Sequence, residues 1–411
     1  MKISKKRITY KSAVLLALLS LQGMLVACGR EPEAEVEVEE PQTISSESAE
    51  NSAKDSVTDA AETTSSAVDE IEEDTETTSS AADEIEEELD AMQEMFGRDC
   101  ISEQTFEVQI SECEQKVYFV PYAPTQENPE FHAQIIQNGQ VLDTLSTYVP
   151  DKLAGEEFSS LDAVSFFDIN FDGNTDILLL ETYGDTRFAA VYYGDSWISY
   201  DGDIRVYFYI QDEPSEYLYE QVNPLTCSEI VDFLTGGKEN GEFASYQEAY
   251  AAVSRVYDLS GEGREYNLIY FDEDDTPELV AGVSGYFMSL YTYHEGTVYC
   301  LANDWGYGAF GNAGYEYVPR KNSLRNFDAD NAGQIMNITY TTINPEHSME
   351  DVVWIQQVFS EEMNEDMEYD CTTYVNGEEV AEDEIDDYDV GEYEYIDTIL
   401  SLQELLEKLG R

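Results

Sequence analysis

Positive charge is scarce in this sequence. It has 20 lysines and arginines against 88 aspartates and glutamates, which gives a formal net charge of −68 and a pI of about 4.1. A surface with this balance repels phosphate backbones and anionic lipid headgroups. Nucleic acids are therefore excluded as partners, and cations are the natural counterpart of the surface.

Histidine is also scarce, and the motifs that depend on histidine or on paired cysteine are missing. The chain has three histidines and no H-E-x-x-H, G-x-S-x-G or C-x-x-C, so no zinc-protease, serine-hydrolase or zinc-cluster motif is present. The Gly194-Asp195-Ser196 triplet is interpreted as a turn. Beyond Cys28 an odd number of cysteines remains, which we expect to stay thiols, with a Cys100–Cys113 bridge as the alternative. They are Cys100, Cys113, Cys227, Cys300 and Cys371.

Long hydrophobic runs are absent as well. The most apolar run, from Ala13 to Leu19, is followed by Ser20 and Gln22 and falls short of the roughly 20 residues that cross a bilayer. It follows a start rich in lysine and precedes a boundary of small residues. These three zones are typical of an export signal rather than of a membrane span.

The boundary Leu25-Val26-Ala27-Cys28-Gly29 resembles the lipobox of bacterial lipoproteins. The resemblance implies that residues 1–27 are a signal peptide and that Cys28 receives diacylglycerol and fatty acids such as palmitate. Two or three acyl chains give durable anchoring, because each buried CH₂ adds about 0.8 kcal/mol. We therefore expect a membrane-anchored protein on the outer face of the bacterial cell membrane.

Residues 28–97 are predicted to form a lipidated, acidic, disordered linker. They consist mainly of Glu, Ser, Thr and Ala and lack aromatics before Phe96, so they cannot bury enough apolar surface to fold. The segment 62–73 recurs almost unchanged as 76–87. A spacer between the membrane and the folded region is the preferred interpretation, with a helix over 81–96 as an open alternative.

The remainder of the chain predicts a β-rich α+β fold, with antiparallel sheets and a few packed helices. Turns centred on Asn138-Gly139, Glu295-Gly296 and Asn376-Gly377 lie between apolar runs and predict β-hairpins. Helical periodicity is confined to 228–234, 245–257 and 396–409. The acidic stretch 212–220 suggests a boundary near residue 215, which gives a β-rich domain over 98–215 and an α+β domain over 216–411.

One loop carries metal-binding chemistry. Between two apolar runs, oxygen side chains alternate along nine residues, and Gly173 occupies the sixth position. A hard cation takes six to eight oxygens, and alternate residues of a tight turn converge on one point. An EF-hand requires a glutamate at position 12, where this chain has Leu179 in a strand-like run. The predicted calcium ligands are Asp168, Asn170, Asp172, Asn174 and Asp176.

This loop resembles the D-x-D-x-D-G-x-x-D turns of VCBS and FG-GAP repeats, which bind calcium between two strands of a propeller-like blade. The resemblance extends to a second copy with Asp272, Asp274 and Glu278, a weaker metal candidate because Tyr270 and Asp275 replace its first aspartate and its glycine. We expect calcium at roughly 10⁻⁴ to 10⁻³ M affinity, in a structural rather than catalytic role.

A glycine-rich segment supplies the best candidates for ligand contact, because aromatics on such loops suit stacking on a sugar or peptide. A tightly packed loop is the alternative. The sequence favours a calcium-stabilised surface binding or adhesion module with a glycan or protein ligand over an enzyme. A cell-envelope hydrolase acting on glycan or peptide stays open. The candidate contact residues are Trp305, Tyr307, Phe310 and Tyr315.

Overall fold

The computed structural model describes residues 90–198, 204–261, 263–309, 311–364, 367, 369–381 and 388–411. The predicted signal peptide, Cys28, most of the predicted linker and Phe310 lie outside these residues. Of the predicted 81–96 helix, residues 90–96 are described, and they form helix α1. The described part of the chain belongs to one compact unit and contains no helix with the length and apolarity needed to cross a membrane.

The first two sheets are antiparallel meanders, in which each strand pairs with the next one along the chain. The Asn138-Gly139 turn has φ values of 51° and 75°, as a type I′ turn requires, and this predicted hairpin is confirmed. The first sheet contains β1 (Phe106–Val108), β2 (Val117–Tyr122), β3 (His132–Gln137) and β4 (Gln140–Leu145). The second contains β5 (Phe158–Phe167), β6 (Asp176–Tyr183), β7 (Thr186–Ile198) and β8 (Ile204–Ile210).

The third sheet repeats this meander, and the fourth is larger, with the strand order β18-β17-β16-β15-β14-β13-β19. The hairpins predicted at Glu295-Gly296 and Asn376-Gly377 are confirmed by φ values in the left-handed region. The third sheet contains β9 (Glu265–Ile269), β10 (Glu278–Val283), β11 (Phe287–His294) and β12 (Thr297–Gly306). The fourth contains β13 (Tyr315–Tyr317), β14 (Leu324–Asp330), β15 (Ile335–Ile343), β16 (Met349–Met363), β17 (Tyr369–Val375), β18 (Glu378–Val380) and β19 (Glu394–Tyr395).

Three helices lie between the second and third sheets, and a fourth ends the chain. They are α2 (Asp212–Gln221), α3 (Cys227–Thr235), α4 (Tyr246–Leu259) and α5 (Leu402–Lys408). The side chains of Thr226, Ser245 and Ser401 cap the last three by accepting a hydrogen bond from a first-turn N–H. Helix α2 was missed because it is acidic and contains Pro214. A proline in the first turn is tolerated, since N–H groups there lack intrahelical acceptors.

The central strands of the second and third sheets are buried on both faces, which explains their continuous apolar runs. Ile177 of β6 faces a core shared with the first sheet, whereas Leu178 faces a core shared with the helices and the third sheet. In β10, Leu279 faces that same helical core and Val280 faces a core shared with the fourth sheet. The sheets therefore stack in chain order, with helices inserted after the second.

The described residues form a β-rich α+β protein, as the sequence predicts. The helical core contains residues from both sides of the boundary expected near residue 215. One local interpretation is wrong, because the Gly194-Asp195-Ser196 triplet lies within strand β7, where it pairs with β8. The cysteines in the described part of the chain form no disulfide, and Cys100 is a buried thiol.

Candidate metal centre

Two loops occupy corresponding places in the second and third sheets. Loop 1, residues 168–176, joins β5 to β6, and loop 2, residues 270–278, joins β9 to β10. The last residue of each loop, Asp176 or Glu278, is also the first residue of the following strand, and its side chain is fully buried. Both loops therefore connect paired strands, unlike the loop of an EF-hand, which leads into a helix.

Asp176 anchors loop 1 to its own sheet. One carboxylate oxygen accepts hydrogen bonds from the backbone N–H groups of Ile169 (2.7 Å) and Asn170 (3.2 Å), and the other accepts from Gly194 of β7 (2.9 Å). Hydrogen bonds from backbone N–H groups to a carboxylate are among the stronger ones in proteins. Hydrogen bonds within the protein thus define the shape of the loop.

The other aspartates of loop 1 turn inward onto the loop backbone. Asp168 accepts hydrogen bonds from the N–H groups of Asp172 (3.1 Å) and Gly173 (3.0 Å), and Asp172 accepts from Asn174 (2.8 Å). Burial, followed by the negative charge of Asp172, raises the pKa of Asp168 to about 7. A cation among these groups would restore their ordinary ionisation, because an opposite charge favours the charged form.

Glu112 brings a further carboxylate to loop 1 that the sequence did not indicate. Its Oε1 accepts a hydrogen bond from the N–H of Thr175 at 2.8 Å, while its Oε2 is buried and receives no hydrogen bond from any described residue. Burial raises the pKa of Glu112, and the charge of Asp172 adds to the increase. A buried acceptor without a partner is costly unless water or an ion satisfies it.

Loop 2 repeats three of the hydrogen bonds of loop 1 with the residue numbers increased by 102. Phe271 N–H donates to Glu278 (2.7 Å), as Ile169 does to Asp176. The N–H of Asp274 donates to Asp272 (2.9 Å) and the N–H of Thr276 donates to Asp274 (2.6 Å), as at the corresponding positions of loop 1. Positions of loop 2 that correspond to loop 1 in sequence therefore make equivalent hydrogen bonds in the structure.

Three of the five acidic side chains of loop 2 converge. Asp272, Asp274 and Glu278 each offer one carboxylate oxygen, and these oxygens lie within 4.8 Å of one another. Burial, followed by the charges of the two aspartates, raises the pKa of Glu278 to about 8. Such a set suits a hard divalent cation such as calcium.

The two candidate loops differ in how close their carboxylate oxygens lie to one another. The carboxylates of Asp168, Asp172 and Asp176 do not meet in a group as close as that of loop 2, because Asp168 directs both oxygens at backbone N–H groups. Loop 2 has Tyr270 instead of an aspartate at the corresponding position. The loop with the weaker sequence pattern thus has the tighter acidic cluster.

Arg320 covers the two positions at which loop 2 departs from the calcium-loop pattern. Its Nη1 donates to the carbonyl of Asp274 (2.7 Å) and lies 3.3 Å from the carboxylate of Asp275, and its guanidinium lies 4.4 Å from the ring centre of Tyr270. The Arg320 N–H also donates to the Tyr270 carbonyl at 2.9 Å. Arg320 lies 45 positions or more along the chain from these residues, so no local sequence pattern could have indicated the contact.

Three of the four candidate ligand-contact residues form one aromatic cluster. The rings of Trp305 and Tyr315 lie 5.3 Å apart, and those of Tyr307 and Tyr315 lie 6.2 Å apart. All three side chains are half-buried and pack against the core between the third and fourth sheets. Phe310 lies outside the described residues.

Two of the three histidines also come together, which their separate places in the sequence did not suggest. The rings of His294 and His347 stack at 4.4 Å, with Tyr299 4.8 Å from His347. His294 is the last residue of β11, and His347 lies in the turn before β16. His132 instead stacks on Tyr122 at 4.9 Å.

Comparisons with known proteins identify no relative of this chain. No family model, no curated protein and no solved structure matches it.

Proposed function

We propose that this chain is a lipid-anchored lipoprotein that displays a calcium-stabilised binding or adhesion module on the outer face of the bacterial cell membrane. The proposed localisation rests on the cationic start, the short apolar run and the lipobox-like boundary at Cys28. The proposed partners are the membrane, reached through the lipid on Cys28, and an extracellular glycan or protein.

The calcium part of the proposal is carried by one observation. Asp272, Asp274 and Glu278 bring carboxylate oxygens within 4.8 Å of one another, on a loop whose hydrogen bonds are shared with loop 1. The negative charges of Asp272 and Asp274 disfavour ionisation of the buried Glu278, and a divalent cation would offset that repulsion. VCBS/FG-GAP-like repeats with calcium in both loops account for this arrangement.

The ion would stiffen the stacked sheets rather than take part in a reaction. Loop 1 contacts the third sheet through Asn303, whose side-chain amide donates to Asp172 at 3.1 Å. Loop 2 contacts the fourth sheet through Arg320. Each loop therefore links its own sheet to the next one, so a cation that rigidifies the loops would also stabilise the stack. A rigid, anchored stack is suited to present the aromatic cluster of Trp305, Tyr307 and Tyr315 to a ligand.

Calcium is expected to raise the melting temperature of the purified protein. At ten times its dissociation constant, reached near 10 mM for affinities in the expected range, one bound ion adds about 1.4 kcal/mol. That corresponds to roughly 2 °C for a folded region of this size. Circular dichroism melting in EGTA, in calcium and in magnesium measures the shift, which we expect to be smaller with magnesium because that ion needs near-ideal octahedral geometry.

Single variants assign the ions to the loops. Asp272→Asn and Asp168→Asn are each expected to lower the calcium stoichiometry measured by isothermal titration from two to one, because each loses a carboxylate ligand from one loop. Asp330→Asn, which alters an exposed acid outside both loops, is the matched control and should leave the stoichiometry at two. An identical melting midpoint in EGTA and in calcium would overturn the calcium proposal.

The proposed lipid anchoring at Cys28 has its own test, which does not depend on calcium. Cells grown with a clickable palmitate analogue are expected to label the protein, and Cys28→Ala should abolish the label and release the protein from the membrane fraction. Cys100→Ala is the control, because Cys100 is a buried thiol in the folded region. Label that persists in Cys28→Ala would contradict lipidation at this residue.

A further inference from the structure

A polar groove lies apart from both loops and from the aromatic cluster. It has a volume of about 740 Å³ and opens between the β6–β7 turn and the segment that follows α2. Ligand sites typically measure roughly 300 to 1,000 Å³, so the groove is large enough for a small molecule or for part of a chain. None of its lining residues belongs to loop 1 or loop 2.

The floor of the groove is held by an arginine and an aspartate. Arg187 Nε donates to Asp162 at 2.6 Å, and its Nη1 donates to the carbonyl of Leu225 at 3.2 Å. Asp162 also accepts hydrogen bonds from the hydroxyls of Ser160 (2.6 Å) and Thr182 (2.8 Å). These contacts fix the guanidinium plane, and they leave its Nη2 available, since no described protein group accepts from it.

The walls divide into an apolar side and a polar rim. Tyr219 of α2 and Leu225 are half-buried lining residues. The Tyr219 ring lies 5.8 Å from that of Phe188, and the Lys152 ammonium lies 6.0 Å from its centre. The rim contains the exposed side chains of Asp185 and Asn223. A carboxylate accepts hydrogen bonds, an amide both donates and accepts, and the free Nη2 of Arg187 donates. The groove thus offers donors and acceptors beside a flat ring.

This combination fits a ligand with a ring of hydroxyl groups and an apolar face. Each hydroxyl both donates and accepts, and the C–H face of a sugar packs on an aromatic ring such as Tyr219. An anionic ligand is disfavoured, because the described positive groups at the groove are already paired, Arg187 with Asp162 and Lys152 with Glu220, and the whole chain carries a net charge of −68. A wholly apolar ligand would leave the charged floor unsatisfied.

We propose that this groove binds a neutral saccharide chain. The inference rests on the proposed function as a surface binding module, and it names both the ligand class and a binding site separate from the calcium loops. Tyr219 supplies the stacking surface, Asp185 and Asn223 bind hydroxyls at the rim, and Arg187 donates from the floor.

Affinity electrophoresis tests the proposal with defined probes. The full chain is run in native gels containing soluble α-mannan, β-galactan, β-glucan or xylan, with polygalacturonate as the anionic comparison. We expect retardation by at least one neutral polysaccharide. Tyr219→Ala and Asp185→Asn should each weaken it at least tenfold. Asp185 lies in an exposed turn, so its near-isosteric change keeps the test valid if Tyr219→Ala fails to fold.

A matched control lies on the same helix. Tyr217 is exposed on α2 outside the groove and its ring contacts Phe233 at 6.1 Å, so Tyr217→Ala should keep the retardation of the wild type. Three results would overturn the proposal: no retardation by any neutral probe, retardation by polygalacturonate alone, or retardation that survives both groove variants. Failure of the calcium proposal is recognised separately, by a melting midpoint that calcium leaves unchanged.

Discussion

Replacing Glu181 with glutamine is expected to change the pH dependence of stability. The free energy of unfolding of the variant, relative to wild type, should increase by about 3 kcal/mol as the pH rises from 4.5 to 8. Glu181 lies in β6, is fully buried, and accepts one hydrogen bond, from the Tyr183 hydroxyl at 2.6 Å. Its second carboxylate oxygen is buried and has no hydrogen-bond partner among the described residues. Burial raises its pKa to about 7, although the Tyr183 hydrogen bond opposes the shift.

The sign follows from proton binding. Between the ordinary glutamate pKa near 4.5 and the folded value near 7, the folded protein holds a proton that the unfolded chain has released. The contribution of Glu181 to stability therefore falls as the pH rises through this window. Glutamine cannot ionise, so the variant does not lose stability in this way. Its stability relative to the wild type therefore increases with pH.

Urea unfolding of both proteins at pH 4.5, 6 and 8 measures the effect. Glu157→Gln is the control, because it changes an exposed glutamate close to the same sheet and should leave the pH dependence as it is. A Glu181→Gln variant whose stability follows the pH dependence of the wild type would show that the buried carboxyl does not lose its proton at a shifted pKa.

Replacing Gly194 with alanine is expected to destabilise the protein by about 3 kcal/mol, at the upper end of the usual range for overpacking, and to abolish calcium binding by loop 1. An added Cβ would lie 2.1 Å from the carbonyl oxygen of Thr175 and 3.0 Å from the ring of Phe208. The N–H of Gly194 donates to Asp176. The backbone of loop 1 would have to move away from β7, which would break the anchor of the loop.

Gly306→Ala is the matched control for Gly194→Ala. Gly306 also lies in a strand, but an added Cβ there would meet its nearest atom, the Tyr286 carbonyl oxygen, at 3.8 Å. We expect a change within about 0.5 kcal/mol. Urea midpoints give the stabilities and isothermal titration gives the number of calcium ions. A Gly194→Ala variant with the wild-type midpoint and two bound ions would contradict the close packing of β7 on loop 1.

Local chemistry accounts for the parts of the fold that were predicted correctly. Turns such as Asn138-Gly139 depend on residues that accept positive φ, and α4 follows from its periodicity and the Ser245 cap. The predicted 396–409 helix begins later, at Leu402, because the preceding Leu400 pairs with Tyr266 of β9. That pairing joins distant parts of the chain, so local periodicity could not reveal it.

The candidate site likewise combines features that the sequence predicts with contacts that only the folded chain creates. The spacing of oxygen side chains placed loop 1 between strands, and the resemblance to VCBS and FG-GAP repeats aligned Asp176 with Glu278. The two residues accept equivalent hydrogen bonds. Spacing did not show that Glu112 joins loop 1 or that Arg320 covers loop 2. Both contacts come from other sheets and depend on how the sheets stack.

By itself the sequence determined the strand-rich character, the hairpins and the position of the two oxygen-rich loops, because these depend on residues close together in the chain. The tertiary structure decided which acids meet, that Glu181 is buried with one oxygen unpaired, and that Arg187 and Tyr219 line one groove. Such proximity arises only when sheets and helices pack around shared cores, since burial and charge interactions depend on distance in space rather than along the chain.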